Sequence, residues 1–290
     1  MISGKSKVCG VMAWPVEHSL SPLMHNFYSE KTDTDLVYIP LKVEPGQIEA
    51  AVKGAYALNF AGMNITVPHK QEVMKYLVEM DEAAGAIGAV NTLVRVEGGF
   101  KGYNTDAEGL WRAMAGAGIT VKGRTCLLLG AGGAAKAAAY VLAREGARKL
   151  YILNRSLEKG IQLAEMINSR FPQAAAEPLR LSEYGRIQEM DCLALQTTSV
   201  GMDPNIDCAP VEDEKFYSHI GTGVDIVYTP AETKFMRYVK QAGGSVLGGL
   251  DMLIYQGMIA YELWNPSVKF SKELVDDARR LLRTQLEAKK

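Results

Sequence analysis

Cysteine is scarce and scattered: Cys9, Cys126, Cys192 and Cys208 are the only four in 290 residues. No close pair among them suggests a metal knuckle or a Cys-x-x-Cys redox motif, and the scatter suits a reducing compartment. An excess of charge of either sign is missing as well, with 32 Lys and Arg against 33 Asp and Glu and a net charge of −1. So even a balance gives no basic field to hold a nucleic acid or an anionic membrane. Small molecules and further copies of the chain, as monomer or homodimer, are the expected partners. No apolar run approaches membrane-spanning length. The first residues lack the hydrophobic stretch of a secretion signal, so cytoplasm is the expected location. His18, His25, His69 and His219 form no metal-like set with carboxylates, and no metal is expected.

What is present is an ordinary globular mix, 48% hydrophobic and 22% charged, long enough for one large domain or two average ones. Short β-like runs alternate with amphipathic helical stretches, which predicts an α/β architecture. Residues 7–13, 37–41 and 62–66 read as strands, with helices over 22–30 and 47–56 between them. Residues 92–96 and 100–103, joined through Gly98-Gly99, read as a hairpin. Thr105-Asp106-Ala107-Glu108 has the form of a capping box and predicts a helix to Ala117. A new unit opens near residue 122, with strands over 125–129, 149–153, 192–197, 223–227 and 245–247. The tail over 253–287 reads as helical. The predicted division is 1–105, rejoined by 253–290, and 106–252.

At the start of that second unit an apolar strand, Thr125 to Leu129, runs straight into Gly130-Ala-Gly-Gly-Ala-Ala135 and an alanine-rich helix. A glycine-rich match alone is weak; this strand–turn–helix context makes it a dinucleotide site. Gly130 permits the tight turn, and Gly132 lets backbone approach a pyrophosphate with no Cβ in the way. Ala131, Gly133 and Ala134 complete the loop, Ala135 packs helix on strand, and the helix N-terminus presents free N–H groups. The next strand ends not in the carboxylate that bonds an adenosine ribose but in Asn154-Arg155-Ser156, with Lys159 one turn on. A carboxylate would repel a 2′-phosphate, whereas Arg155 can grip one. Cations set against a helix dipole are better explained by an anionic ligand than by solvation. NADP (NADPH) is the predicted cofactor.

Polar residues of the first unit gather at turns, and singly each has a bland reading. Ser21 before Pro22 makes a good N-cap with proline at N1. Asn91 could close a turn, and Asp106 could answer a helix dipole. Lys70 is harder to dismiss. A helix predicted from Pro68 places its ammonium in the first turn, where the dipole works against it. His69 would point about 100° away from Lys70 on such a helix, and reads as structural.

In order along nearly the whole chain, the motifs resemble those of the shikimate dehydrogenase family, with its quinate-using relatives. They are His18-Ser-Leu-Ser-Pro22, Asn64-Ile-Thr-Val-Pro-His-Lys70, Gly88-Ala-Val-Asn-Thr92, Asn104-Thr-Asp106, Gly130 to Ala135 and Asn154-Arg155-Ser156. Thr198-Ser-Val-Gly-Met202, Asp225-Ile-Val-Tyr-Thr-Pro230 and Gly249-Leu-Asp-Met-Leu-Ile-Tyr-Gln256 complete the series. Departures are Gln196, where asparagine is common, and Lys159, where arginine often stands.

The resemblance implies an α/β fold of two domains with a cleft between them. An N-terminal substrate domain would be followed by a Rossmann-type NADP-binding domain, with the C-terminal helices returning to the first. It implies reversible NADPH-dependent reduction of 3-dehydroshikimate to shikimate, a step of chorismate and aromatic amino acid biosynthesis. Lys70 and Asp106 would be catalytic. Ser19 and Ser21, helped by Tyr228, would hold the substrate carboxylate, while Asn64, Thr66, Asn91 and Gln256 would bond ring hydroxyls. Ile226 and Gly249 would meet the nicotinamide end of the cofactor. The rival expectations are a quinate/shikimate dehydrogenase using NAD or NADP, an enzyme for an amino-substituted ring acid, and a non-catalytic NADP-binding sensor.

Overall fold

In the computed structural model, which describes residues 2–288, the chain divides into two compact units, Met1–Gly109 with Ile254–Lys290, and Leu110–Leu253. The first begins with β1 (Lys7–Ala13), α1 (Ser21–Lys31), β2 (Leu36–Lys42), α2 (Ile48–Ala57) and β3 (Gly62–Ile65). A 3-10 turn (Glu72–Tyr76), β4 (Glu79–Met80) and α3 (Glu82–Ile87) follow, then the hairpin β5 (Thr92–Val96) and β6 (Gly99–Tyr103), and α4 (Thr105–Gly116). Its sheet has the order β2-β1-β3-β5-β6-β4, parallel from β2 to β3 and antiparallel through the hairpin.

Successive strand side chains face opposite ways, and this sheet uses both faces. Met12, Met63 and Ile65 join α2 residues Ile48 and Val52 in one apolar core. Their neighbours Tyr38 and Asn64 belong to the other face, where His25, Tyr28, Tyr38, Tyr261 and Trp264 pack ring against ring.

The second unit contains β7 (Thr125–Leu129), α5 (Gly133–Arg144), β8 (Lys149–Asn154), α6 (Leu157–Arg170), β9 (Ala176–Arg180), β10 (Cys192–Gln196), β11 (Ile220–Asp225), α7 (Lys234–Gln241) and β12 (Ser245–Leu247). All its strands are parallel in the order β12-β11-β10-β7-β8-β9. Renumbered from β7, that is the doubly wound 3-2-1-4-5-6 order, with its switch point between β7 and β10. Every residue of β7 is buried: Cys126 and Leu128 belong to one core, Leu127 and Leu129 to the other. A strand covered on both faces reads as a continuous apolar run because it has no wet side.

Helices α8 (Leu250–Trp264) and α9 (Lys272–Glu287) end the chain. From Ile254 onward they complete the first unit. Trp264 donates its indole N–H to the Leu93 carbonyl at 2.9 Å, lying so close to β3 that a Cβ at Gly62 would stand 2.0 Å from its Nε1. Glycine is required there by approach. Gly62→Ala is expected to destabilise the first unit by about 2 kcal/mol or more, since α8 must back away and strand the buried carbonyl. Chemical denaturation followed by Trp fluorescence checks this; an unchanged midpoint would contradict the contact.

Candidate active site

Strand β3 ends at Ile65, and the chain then turns through residues 67–71 before the 3-10 turn. The helix expected from Pro68 is absent, and Lys70 precedes the N-cap of the short 3-10 turn. Two anchors set the turn instead. The buried His69 donates from Nε2 to the Val43 carbonyl at 2.8 Å, and the Lys70 carbonyl accepts from Val90 N–H at 2.8 Å. A carbonyl only accepts, so this bond fixes the histidine tautomer.

Lys70 Nζ lies 2.6 Å from Asp106 Oδ2, in a pair whose side chains are only 18% and 10% exposed. Asp106 comes from the first turn of α4, where the dipole favours a carboxylate. The cap of that helix differs from the expected one. Asn104 Oδ1 accepts from Ala107 N–H at 3.2 Å, which makes Asn104 the capping residue. Thr105 is thereby freed for other work: its N–H donates to Asn91 Oδ1 at 2.7 Å.

Asn91 ties these groups together. Its Nδ2 donates to Asp106 Oδ1 at 2.8 Å and to Thr105 Oγ1 at 2.9 Å, and its Oδ1 accepts from Thr92 Oγ1 at 3.1 Å. Asn64, cross-strand from Thr92, donates from Nδ2 to Thr92 Oγ1 at 3.0 Å and to the Asn91 carbonyl at 3.2 Å. One polar network thus runs from Asn64 through Thr92, Asn91 and Asp106 to Lys70.

The remaining candidates of this unit lie around it. Ser21 N–H donates to Ser19 Oγ at 3.3 Å, which sets the two hydroxyls together at the start of α1. Ser21 does not cap α1: Leu20 holds the N-cap position, and no side chain bonds there. Thr66 follows β3, half-buried. Gln256, on α8, is buried beside Gly109, where a Cβ would lie 2.7 Å from Gln256 Cβ.

In the second unit Gly130 adopts φ +116° and sits where a Cβ would meet Thr197 Oγ1 at 2.8 Å, so both backbone and packing demand glycine. Gly132 has no such reason. Its φ is −86°, and a Cβ there would find nothing within 4 Å. It is the N-cap of α5 and brings no side-chain cap, leaving the first N–H groups of Gly133, Ala134 and Ala135 uncovered beside open space. That arrangement fits a pyrophosphate. Ala135 is fully buried, as close helix–strand packing needs.

At the end of β8, Asn154 Nδ2 bonds the Ser156 carbonyl at 2.8 Å, and no carboxylate stands on the strand end. Arg155 and Lys159 are exposed, and neither forms an ion pair among the described residues. Two free cations, with no carboxylate on the strand end itself, fit a 2′-phosphate. Gly249 N–H donates to the Val227 carbonyl at 3.2 Å, and a Cβ there would lie 2.1 Å from the Ile226 oxygen. The structure therefore brings Ile226 and Gly249 together.

Two organising residues carried no role in the sequence reading. Buried Gln196 uses its amide four times, to Thr198 N–H, Thr198 Oγ1 and the Thr198 and Val200 carbonyls, shaping the loop beside Gly130. Buried Asp225 accepts from Val227 N–H at 2.9 Å and Thr233 Oγ1 at 2.6 Å, bracing the segment that carries Ile226 and Tyr228.

Comparison with known proteins decides the family. The family profile described as shikimate dehydrogenase substrate binding domain matches residues 11–93, and that described as shikimate / quinate 5-dehydrogenase matches residues 113–213. A shikimate dehydrogenase (NADP(+)) from Desulforamulus reducens is 43% identical over 91% of each chain. The chain belongs to the shikimate dehydrogenase family. Among solved structures of this family, that from Listeria monocytogenes in complex with shikimate and NAD superposes with a TM-score of 0.88. It is 31% identical and covers 97% of this chain and 98% of its own. The Thermus thermophilus enzyme in complex with NADP(H) and shikimate gives a TM-score of 0.82 at 32% identity, over 95% and 99% of the two chains. No helix among the described residues of this family member is long and apolar enough to cross a membrane.

Burial pushes the Asp225 carboxyl up to about 6 from its ordinary 3.8, with the Thr233 and Val227 hydrogen bonds pulling the other way. A folded-state value above the unfolded one means that the native state binds the proton more tightly. Stability from this group is then complete below pH 4 and is lost as pH rises to 6. Between pH 7 and 5 the wild type should gain about 1 kcal/mol relative to Asp225→Asn. Parallel denaturant melts at the two pH values measure this; equal pH dependence in both proteins would refute the assignment.

Proposed function

We propose that this chain catalyses the reversible reduction of 3-dehydroshikimate to shikimate with NADPH, in the cytoplasm, on the route to chorismate and the aromatic amino acids. The observation that carries this reading is the Lys70–Asp106 pair at 2.6 Å, whose lysine lies within the segment that matches the family's substrate binding domain. The first unit, with Asp106, takes the ring acid, and the second takes the cofactor.

Reducing a ketone to a secondary alcohol needs a hydride at carbon and a proton at oxygen. Bound NADPH supplies the hydride. Lys70 Nζ donates the proton to the developing alkoxide and takes one back in the oxidation direction. Asp106 holds the ammonium in place through Oδ2 while its other oxygen is tied to Asn91. Ser19 and Ser21 bind the substrate carboxylate through hydroxyl donors. Asn64, Thr66, Asn91 and Gln256 recognise ring hydroxyls. On the cofactor side, the N–H groups after Gly130, Ala131 and Gly132 hold the pyrophosphate. Asn154, Arg155, Ser156 and Lys159 hold the adenosine end with its 2′-phosphate, and Ile226 and Gly249 meet the nicotinamide. A sensor that only binds NADP would need no paired ammonium and carboxylate, so the pair favours an enzyme.

Lys70→Ala is expected to lower kcat by about 10²–10⁴-fold with a much smaller rise in the Kd for shikimate. Steady-state rates and calorimetry measure the two quantities, and undiminished turnover would remove Lys70 from the chemistry. Arg155→Gln is expected to raise the KM for NADP by roughly tenfold or more while leaving that for NAD unchanged, because only NADP carries the phosphate. A matrix of shikimate and quinate against NADP and NAD, read by nicotinamide absorbance, tests the substrate assignment. A higher kcat/KM for quinate would overturn it.

A further inference from the structure

Tyr38 lies outside every motif of the family resemblance, yet its phenol hydroxyl reaches the substrate-facing network. It stands mid-strand in β2, 1% exposed, and donates to Asn64 Oδ1 at 2.6 Å. A buried tyrosine normally finds a partner for its hydroxyl. Here that partner is the side chain of a proposed substrate contact.

The Asn64 amide carries two N–H donors and an oxygen with two lone pairs. Both donors are committed, one to the Asn91 backbone carbonyl and one to Thr92 Oγ1. A backbone carbonyl can only accept, so the –NH2 group must face it; a flipped amide would oppose two acceptors. Thr92 Oγ1 has Asn91 Oδ1 and Thr105 Oγ1 as outlets for its own proton and receives from Asn64. Tyr38 takes one lone pair of Oδ1, and a single acceptor site remains.

The phenol is itself held. The His25 ring stacks on it with centroids 4.2 Å apart and planes 15° apart, inside the aromatic cluster of α1 and α8. Burial pushes His25 down to about 3 against a smaller opposing pull from the Asn64 side chain, so this ring is neutral, and among the described residues neither nitrogen meets hydrogen-bond geometry with a partner. It stacks on the phenol and does not compete for its hydroxyl.

We infer that Tyr38 is a positioning residue that fixes Asn64 as a pure hydrogen-bond acceptor towards the substrate, so that this corner of the site selects a ring substituent able to donate. A hydroxyl or an amine satisfies it; a keto or ether oxygen meets an acceptor it cannot bond. The inference rests on the proposed role of Asn64 as a shikimate contact.

Tyr38→Phe removes one oxygen and keeps the ring. Shikimate titrated calorimetrically into the protein without cofactor is expected to bind roughly three- to tenfold more weakly, the worth of one neutral hydrogen bond. KM for shikimate should rise alike, with kcat and the KM for NADP held. In an Asn64→Ala background the same change should have only the small residual effect that Ser21 beside the phenol can carry, whereas a general packing role would add in full. Thr92→Val, which removes the acceptor for the same amide, should weaken shikimate binding in the same direction and serves if Tyr38→Phe does not fold. Unchanged Kd in both single variants, or full additivity with Asn64→Ala, would overturn the inference. A wild type that neither binds nor oxidises shikimate would instead defeat the functional reading beneath it.

Discussion

The first unit is organised around the carboxylate of Asp106. A carboxylate taken almost wholly out of water is tolerable only when its lone pairs are matched, because an unpaired buried charge is expensive. Here one oxygen meets the Lys70 ammonium and the other the Asn91 amide, and the group sits at the favourable end of α4. Meeting those requirements constrains three chain segments. The turn after β3 must deliver Lys70, the start of the hairpin must deliver Asn91, and the cap of α4 must leave Thr105 free to brace Asn91. The sheet order β3-β5-β6 is what sets these segments side by side.

The second unit works by the converse device, the removal of side chains. At Gly130 and Gly249 the protein's own backbone and neighbours forbid a Cβ, whereas at Gly132 nothing within the protein does. The first shapes the turn at the switch point of the sheet, and the second lets the chain after β12 close on the segment after β11. The third leaves room beside uncovered N–H groups, and that room makes sense only for a ligand. Gln196 and Asp225 stabilise the neighbouring loops by saturating backbone groups that regular structure leaves unpaired.

Legibility from the sequence followed the range of the interactions involved. Strands β1, β7 and β12 had readable ends because apolar pattern and flanking turn residues coincide there. The short β4 and α3 went unread, since two and six residues carry too little periodicity. The expected capping box at Thr105 was displaced by one residue because Asn104 is an equally good cap, and Thr105 is drawn away by Asn91 across the hairpin. The helix expected from Pro68 yielded to the burial of His69 against Val43, a contact between distant segments. Tyr38 was invisible for the opposite reason. As one aromatic residue in an apolar strand it looked like core, and only the register of β2, β1 and β3 puts its hydroxyl on Asn64.

A binding site in such a protein is what its internal bonding leaves over. Asn91 already spends both N–H groups and its oxygen within the protein, so a ring hydroxyl there would have to share or replace one of those bonds. Asn64, an identical side chain one strand away, keeps a single lone pair because Tyr38 claims the other. Arg155, just after β8, and Lys159, in the first turn of α6, form no ion pair among the described residues. Residue type alone does not separate these cases; the count of satisfied donors and acceptors does. Polarity at each position of the site is therefore set as much by the residues behind it as by those that would touch the ligand.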